Sequence, residues 1–178
     1  VVLNYLEKKQ LRLAAILLTH MHEDHTGGVR EIAASHPESL VYGPKETKEL
    51  VNRVVEEGDS FNLLGQSFQV YESGGHTHGH ISFLMGDHLF CGDALFSAGC
   101  GRVFTGDYEA QYETLQKFMR LDDHINVYPG HEYTETNLRF AHDMQPENEK
   151  ISKTLEEVRE LRAKGQTTLQ TTIGRERE

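Results

Sequence analysis

Residues 19–28, THMHEDHTGG, hold the densest chemistry in the chain: His20, His22, Asp24 and His25 fall within six positions. Imidazole and carboxylate are ligands for zinc, iron or manganese, and no thiolate accompanies them here. Three later stretches carry the same residue types: His76, His78 and His80 in GGHTHGH, Asp93 after Cys91-Gly92, and His131 after Pro129-Gly130. His20, His22, His25, His131 and one histidine of the 76–80 loop, with Asp24 and Asp93, make five imidazoles and two carboxylates, more than one tetrahedral ion needs. Such a set suits two ions sharing one carboxylate, and the isolated Asp93 is the best-placed bridge. A polar surface turn that happens to be rich in histidine accounts poorly for this density.

The elements that must position these groups are legible as pattern. The apolar run 13–18, closed by Thr19, reads as a buried strand, and Gly27-Gly28 opens the helix after it, so the first cluster sits on a turn at a rigid strand end. Residues 1–10 read as the tail of an amphipathic helix, 28–35 as a helix, 40–42 as a strand and 45–51 as a surface helix. Hairpins are expected over 60–63 and 67–71, and over 81–85 and 89–91. Asp107 caps a helix with Tyr108, Tyr112, Leu115 and Met119 as its apolar stripe, and 126–128 is another strand. A charged helix over 147–164 turns Ile151, Leu155, Val158 and Leu161 to one face, with Gly165 as its stop. Four strands thus end in candidate ligands, which brings the candidates to one rim of a layered α/β structure.

Composition bounds the rest. The chain has 178 residues, 37% hydrophobic, enough for one main domain (1–132) and an appendage (133–178). A net charge of −10 argues against nonspecific nucleic-acid binding. Cys91 and Cys100 form no CxxC pair, no apolar run approaches membrane-spanning length and no signal peptide is recognisable, so a reducing, cytoplasmic setting without membrane contact is expected. The chain opens on Val1, in helix-like sequence, as an excerpt of a longer protein would.

The T-H-x-H-x-D-H signature of the metallo-β-lactamase fold superfamily stands at 19–25, and the glyoxalase II (hydroxyacylglutathione hydrolase) motifs G-H-T-x-G-H, G-D-x-L-F-x-x-G-C-G and G-H-E-Y-T-x-x-N-L-x-F-A stand at 75–80, 92–101 and 130–141. Over nearly its whole length the chain resembles glyoxalase II. The resemblance implies an αββα sandwich without the family's opening strands, joined to a C-terminal helical segment that binds substrate and stops short of the family's basic N-P-F-x-R stretch. It implies that His20, His22 and His76 hold one metal, that Asp24, His25 and His131 hold a second, and that Asp93 bridges them. Asp24 would also orient the attacking hydroxide and take its proton, while Arg102 and Tyr133 would contact glutathione. Phe104 stands where some relatives carry Tyr. The implied cofactors are two divalent ions, zinc first, with iron or manganese as alternatives. The implied reaction is hydrolysis of S-D-lactoylglutathione to glutathione and a 2-hydroxy acid by a monomer.

Three other readings compete: a persulfide dioxygenase using one iron, a β-lactamase or lactonase on the same metals, and a metal-binding fragment without activity. Among the remaining residues, His80 is expected to hydrogen-bond behind the ligands and His78 to face solvent. His36, His88, His124 and His142 read as surface, Glu23 need not bind metal, and Cys100 reads as a buried structural thiol.

Overall fold

In the computed structural model, which describes residues 1–178, helix α1 (Val2–Lys9) ends at Gln10 in the left-handed region, and the run after it forms strand β1 (Ala15–Leu17). The histidine-rich turn coils into one short helix, α2 (Glu23–Thr26), followed by α3 (Val29–Ser35) and the strands β2 (Leu40–Gly43) and β3 (Arg53–Val54). β1, β2 and β3 pair in parallel, Ala15 opposite Leu40 and Tyr42 opposite Arg53. The helix expected over 45–51 shrinks to a single 3-10 turn, Lys45–Thr47. Thr47 accounts for this, because its hydroxyl donates to the Pro44 carbonyl at 2.8 Å and ties the turn to its own start.

The second sheet runs β4 (Ser60–Leu63), β5 (Gln66–Glu72), β6 (Ile81–Met85), β7 (His88–Gly92), β8 (Asn126–Pro129) and β9 (Thr171–Thr172) in spatial order. Its first four strands are antiparallel neighbours, and the β4–β5 turn puts both Leu64 (φ 53°) and Gly65 (φ 79°) in the left-handed region, as a tight two-residue hairpin demands. β7 and β8 pair in parallel with a register shift between Phe90 and Gly92, immediately before Asp93.

The sheets face each other. Tyr42 of β2 packs with Phe68 and Val70 of β5 and Ile81 and Phe83 of β6, while Ala15 and Leu17 of β1 close the same cluster. α3 covers the outer face of the first sheet through Val29 against Leu18 and Val41. On the outer face of the second, Phe118 of α4 (Tyr108–Phe118) joins Leu89, Cys91 and Val127. This is the expected four-layer α/β arrangement. After β8 come α5 (Thr134–Met144), α6 (Glu149–Ala163) and α7 (Ile173–Glu176). Leu138 of α5 meets Leu155 and Val158 of α6, so the expected apolar face of the charged helix is its buried one, although Leu161 at its end is 38% exposed.

The stripe expected on α4 is half right: Leu115 and Met119 pack against the core beside Leu89 and Cys91, but its two tyrosines do not. Tyr108 and Tyr112 are exposed, and the helix buries Gln111, Thr114 and Phe118 instead. The polar pair is tolerated because carbonyls face it: Thr114 donates its hydroxyl to Gly74 O at 2.9 Å, and Gln111 Nε2 donates to Ala94 O at 3.0 Å.

Candidate metal centre

Each candidate ligand leaves the end of a strand or the turn after it. His20 follows β1, and His22, Asp24 and His25 lie in and beside α2. Thr26, buried beneath this turn, fixes it by donating its hydroxyl to His22 O at 3.0 Å. His76 sits in the β5–β6 loop, Asp93 after β7 and His131 after β8. Backbone bonds lock these ends together: Ile81 N–H to Thr19 O at 2.8 Å, and Gly130 N–H to Gly92 O at 2.8 Å. Gly92 (φ 50°) must be glycine, because a Cβ there would stand 2.5 Å from Thr19 Oγ1 and 2.9 Å from His80 Nε2.

The seven groups converge. The ligand atoms of His20, His22 and His76 lie within 4.8 Å of one another, as do those of Asp24, His25 and His131, and those of His20, His25 and Asp93. Asp93 lies between the first two sets: Oδ2 is 3.4 Å from His76 Nε2 and 3.3 Å from His131 Nε2, and Oδ1 is 3.3 Å from His25 Nε2. Imidazole nitrogens point at one another, His22 Nδ1 to His76 Nε2 at 2.9 Å and His25 Nε2 to His131 Nε2 at 3.1 Å. His76 Nδ1–H donates to Arg102 O at 2.7 Å, which leaves the Nε2 lone pair aimed inward. His20 Nε2 is buried without a hydrogen-bond partner, and the buried Asp93 Oδ1 has only His25 Nε2, at 3.3 Å. A cation among these atoms would satisfy both, so the residues present fit divalent metal.

Protonation follows the same geometry. Burial, reinforced by His80 and His25, lowers the pKa of His20 to about 2, and burial likewise lowers that of His76. Both are therefore neutral imidazoles near pH 7, the form that donates a lone pair. His25 is raised by its hydrogen bond with Asp93. Burial pushes the Asp93 carboxyl up, but the His25 hydrogen bond and the surrounding imidazoles outweigh it and hold the group below its ordinary value.

His80 is fully buried behind this cluster, and His78 is exposed. His124 is exposed, while His36, His88 and His142 are half-buried. Glu23 lines the mouth without joining any of the three ligand groups. Cys100 is exposed, contrary to expectation, because it stands in the turn between Gly99 and Gly101; the buried thiol is Cys91.

A cavity of about 420 Å³ opens over the cluster, walled by Phe96, Arg102, Phe104 and Tyr133. The Tyr133 ring stacks on His131 (centroids 5.0 Å, 11° between planes) and meets Phe96 edge-on. Phe104 is edge-on to His22 and His76, with the Arg102 guanidinium 5.3 Å from its ring centre. Both expected glutathione-contact residues therefore border the candidate ligands. Sequence reasoning missed the supports beneath: Thr105, whose hydroxyl donates to Gly75 O at 2.7 Å, together with Gln111 and Thr114. Nothing in their spacing signals that role.

The metallo-beta-lactamase superfamily matches residues 3–131, and the hydroxyacylglutathione hydrolase C-terminus matches residues 132–178. A hydroxyacylglutathione hydrolase from Haemophilus ducreyi is 49% identical over 176 residues, 98% of this chain and 75% of its own length. The chain belongs to the hydroxyacylglutathione hydrolase family. Among solved structures, the BLEG-1 B3 metallo-beta-lactamase superposes with a TM-score of 0.72 over 98% of this chain and 79% of its own, at 21% identity, a likeness of fold. TTHA1623, solved in a di-iron-bound form, is 30% identical with a TM-score of 0.63, covering 73% of this hydroxyacylglutathione hydrolase family member and 75% of its own chain.

Proposed function

We propose that this chain hydrolyses S-2-hydroxyacylglutathione thioesters, S-D-lactoylglutathione among them, to glutathione and a 2-hydroxy acid. The observation that carries the reading is the meeting of the two ligand triads at Asp93, directly beneath a mouth bearing Arg102 and Tyr133. His20, His22 and His76 would hold one divalent ion and Asp24, His25 and His131 a second, with Asp93 within reach of both. Zinc is the first choice, and the di-iron-bound relative supports iron as the alternative. Bound there, such ions would lower the pKa of a water to ~7 and would supply positive charge for the developing oxyanion.

The chain's own groups do the rest. The Asp24 side chain is 59% exposed at the mouth, with Oδ2 3.2 Å from His131 Nε2, where it orients the attacking water and takes its proton. Arg102 pairs with a glutathione carboxylate, and the Tyr133 hydroxyl hydrogen-bonds the peptide, so the thioester carbonyl is directed at the ligand cluster. The leaving thiolate has a pKa near ~8.5 and departs without the strong acid an amide would need. Residues 1–132 act as the catalytic domain and 133–178 as the substrate-binding segment. All seven ligand candidates come from one chain, so the proposed site is complete in a monomer. No helix is long and apolar enough to cross a membrane, and the two cysteines without a CxxC pair favour a reducing, cytoplasmic setting.

The test is hydrolysis of S-D-lactoylglutathione with metal content measured on the same sample. Turnover with close to two ions per chain is the expected result. One iron per chain, no hydrolysis and oxygen uptake with glutathione persulfide would replace the reading with a dioxygenase.

A further inference from the structure

Glu46 is not one of the seven candidate ligands, yet its side chain reaches both loops that carry the three-histidine group. Oε1 accepts the Met21 N–H at 3.1 Å and the Thr77 hydroxyl at 2.7 Å, and Oε2 accepts the Gly79 N–H at 2.9 Å. Met21 lies between His20 and His22, while Thr77 and Gly79 bracket the stretch between His76 and His80. One carboxylate thus ties two segments more than fifty residues apart in sequence at the points where they present imidazoles. Its own base is firm: Glu46 rides on the 3-10 turn at the end of β2, which the buried Thr47 fastens to Pro44. The approach to the second loop is close, because a Cβ on Gly79 would stand 2.8 Å from Glu46 Oε2.

We infer that Glu46 is a positioning residue that sets the separation of His22 from His76, and with it the geometry of the first metal site. The inference rests on the metal-hydrolase reading. Chemistry selects a carboxylate for this task. The two backbone N–H donors use different oxygens, so an amide at this position must turn its NH₂ toward one of them and lose that bond. Only the Thr77 hydroxyl can reverse and accept. Partners of this kind, one step behind the ligands, typically change metal affinity or activity by about 10–100-fold when removed.

The experiment compares wild type with Glu46→Gln, Glu46→Ala and Thr77→Val, each loaded with cobalt(II). Metal affinity is read by chelator competition, site geometry by the visible cobalt absorption, and kcat and KM separately with S-D-lactoylglutathione. Glu46→Gln is expected to weaken binding of the tighter ion about tenfold, shift the cobalt bands and lower kcat while KM stays within about twofold. Glu46→Ala should do more and Thr77→Val less. A fold defect alone would lower the melting temperature and leave the cobalt spectrum of the folded fraction unchanged. If Glu46→Ala does not fold, the near-isosteric Gln variant decides. Wild-type affinity and spectrum in Glu46→Gln would overturn the inference. A wild-type chain that binds no metal pair or hydrolyses nothing would instead overturn the hydrolase reading beneath it.

Discussion

His80 Nε2 accepts the backbone N–H of Asp93 at 3.2 Å, so a fully buried imidazole fixes the main chain of the residue that joins the two ligand triads. Its Nδ1–H donates in turn to Ser73 Oγ at 2.8 Å, and Ser73 shares a 2.7 Å hydrogen bond with Ser82. Replacing His80 with Ala leaves the Asp93 N–H without its partner, strips one of two hydrogen bonds from the buried Ser73 hydroxyl and opens a cavity. A loss of about 3 kcal/mol in urea unfolding is expected. Turnover should fall by ~10-fold or more through misplacement of Asp93.

Asp93→Ala and His22→Ala strike the candidate ligands themselves. The first removes the carboxylate that lies within 3.4 Å of an imidazole from each triad, the second one of three imidazoles in the proposed first site. Both are expected to abolish hydrolysis of S-D-lactoylglutathione, and metal analysis should show a large loss of bound ion. Retained turnover in either variant would rule out the two-ion scheme.

Acid lability of the chelated protein follows from two buried rings. Burial holds His20 at about 2 and His80 at about 3, against 6.5 for an ordinary histidine. Below pH 6.5 the unfolded chain protonates both while the folded chain protonates neither. The stability they contribute is therefore present above pH 6.5 and is lost as pH falls toward 3. Each ring contributes a slope of ~1.4 kcal/mol per pH unit. His25, raised by Asp93, has the opposite sign: its contribution is complete below 6.5 and fades as pH rises through its higher folded value. Denaturant melts of the metal-free protein from pH 8 to pH 4 should show a steep decline beginning near 6.5, and His80→Asn should lessen the slope.

Glu132, directly after the candidate ligand His131, fastens the C-terminal segment. Its oxygens accept the Thr168 N–H at 2.6 Å and the Thr168 hydroxyl at 2.8 Å, and Arg162 stands 3.5 Å away. Thr134 completes the latch by donating its hydroxyl to Thr168 O at 2.9 Å. Glu132→Ala is expected to cost about 2–3 kcal/mol. Hydrogen exchange should quicken first over residues 164–172, before the sheets.

The ligand cluster was legible because residue type and position coincide: imidazoles and carboxylates at strand ends have few other uses. The sheets were legible because alternation such as Phe68 and Val70 inward against exposed Ser67 and Gln69 has one solution. What escaped depends on partners remote in sequence. Gln111 and Thr114 look like solvent-facing residues until carbonyls from the His76 and Asp93 loops are brought against them, which also makes the tyrosines of α4 look falsely like its core face. Glu46 is one acid among 28 acidic residues, and its three donors lie 25 to 33 residues away. β3, β9 and α7 span only two, two and four residues, too short for any period to register.

The facing nitrogens of His25 and His131 come from positions 106 residues apart, and every triad draws on loops that meet only after both sheets have closed. An unfolded chain therefore offers no comparable chelate, and ion binding belongs almost wholly to the native state. Mass action then turns metal supply into fold stability: free ion at 100 times its dissociation constant adds about 2.7 kcal/mol per site. In a cell short of metal this protein would decline in abundance as well as in activity, because its idle molecules would also be those most exposed to proteolysis.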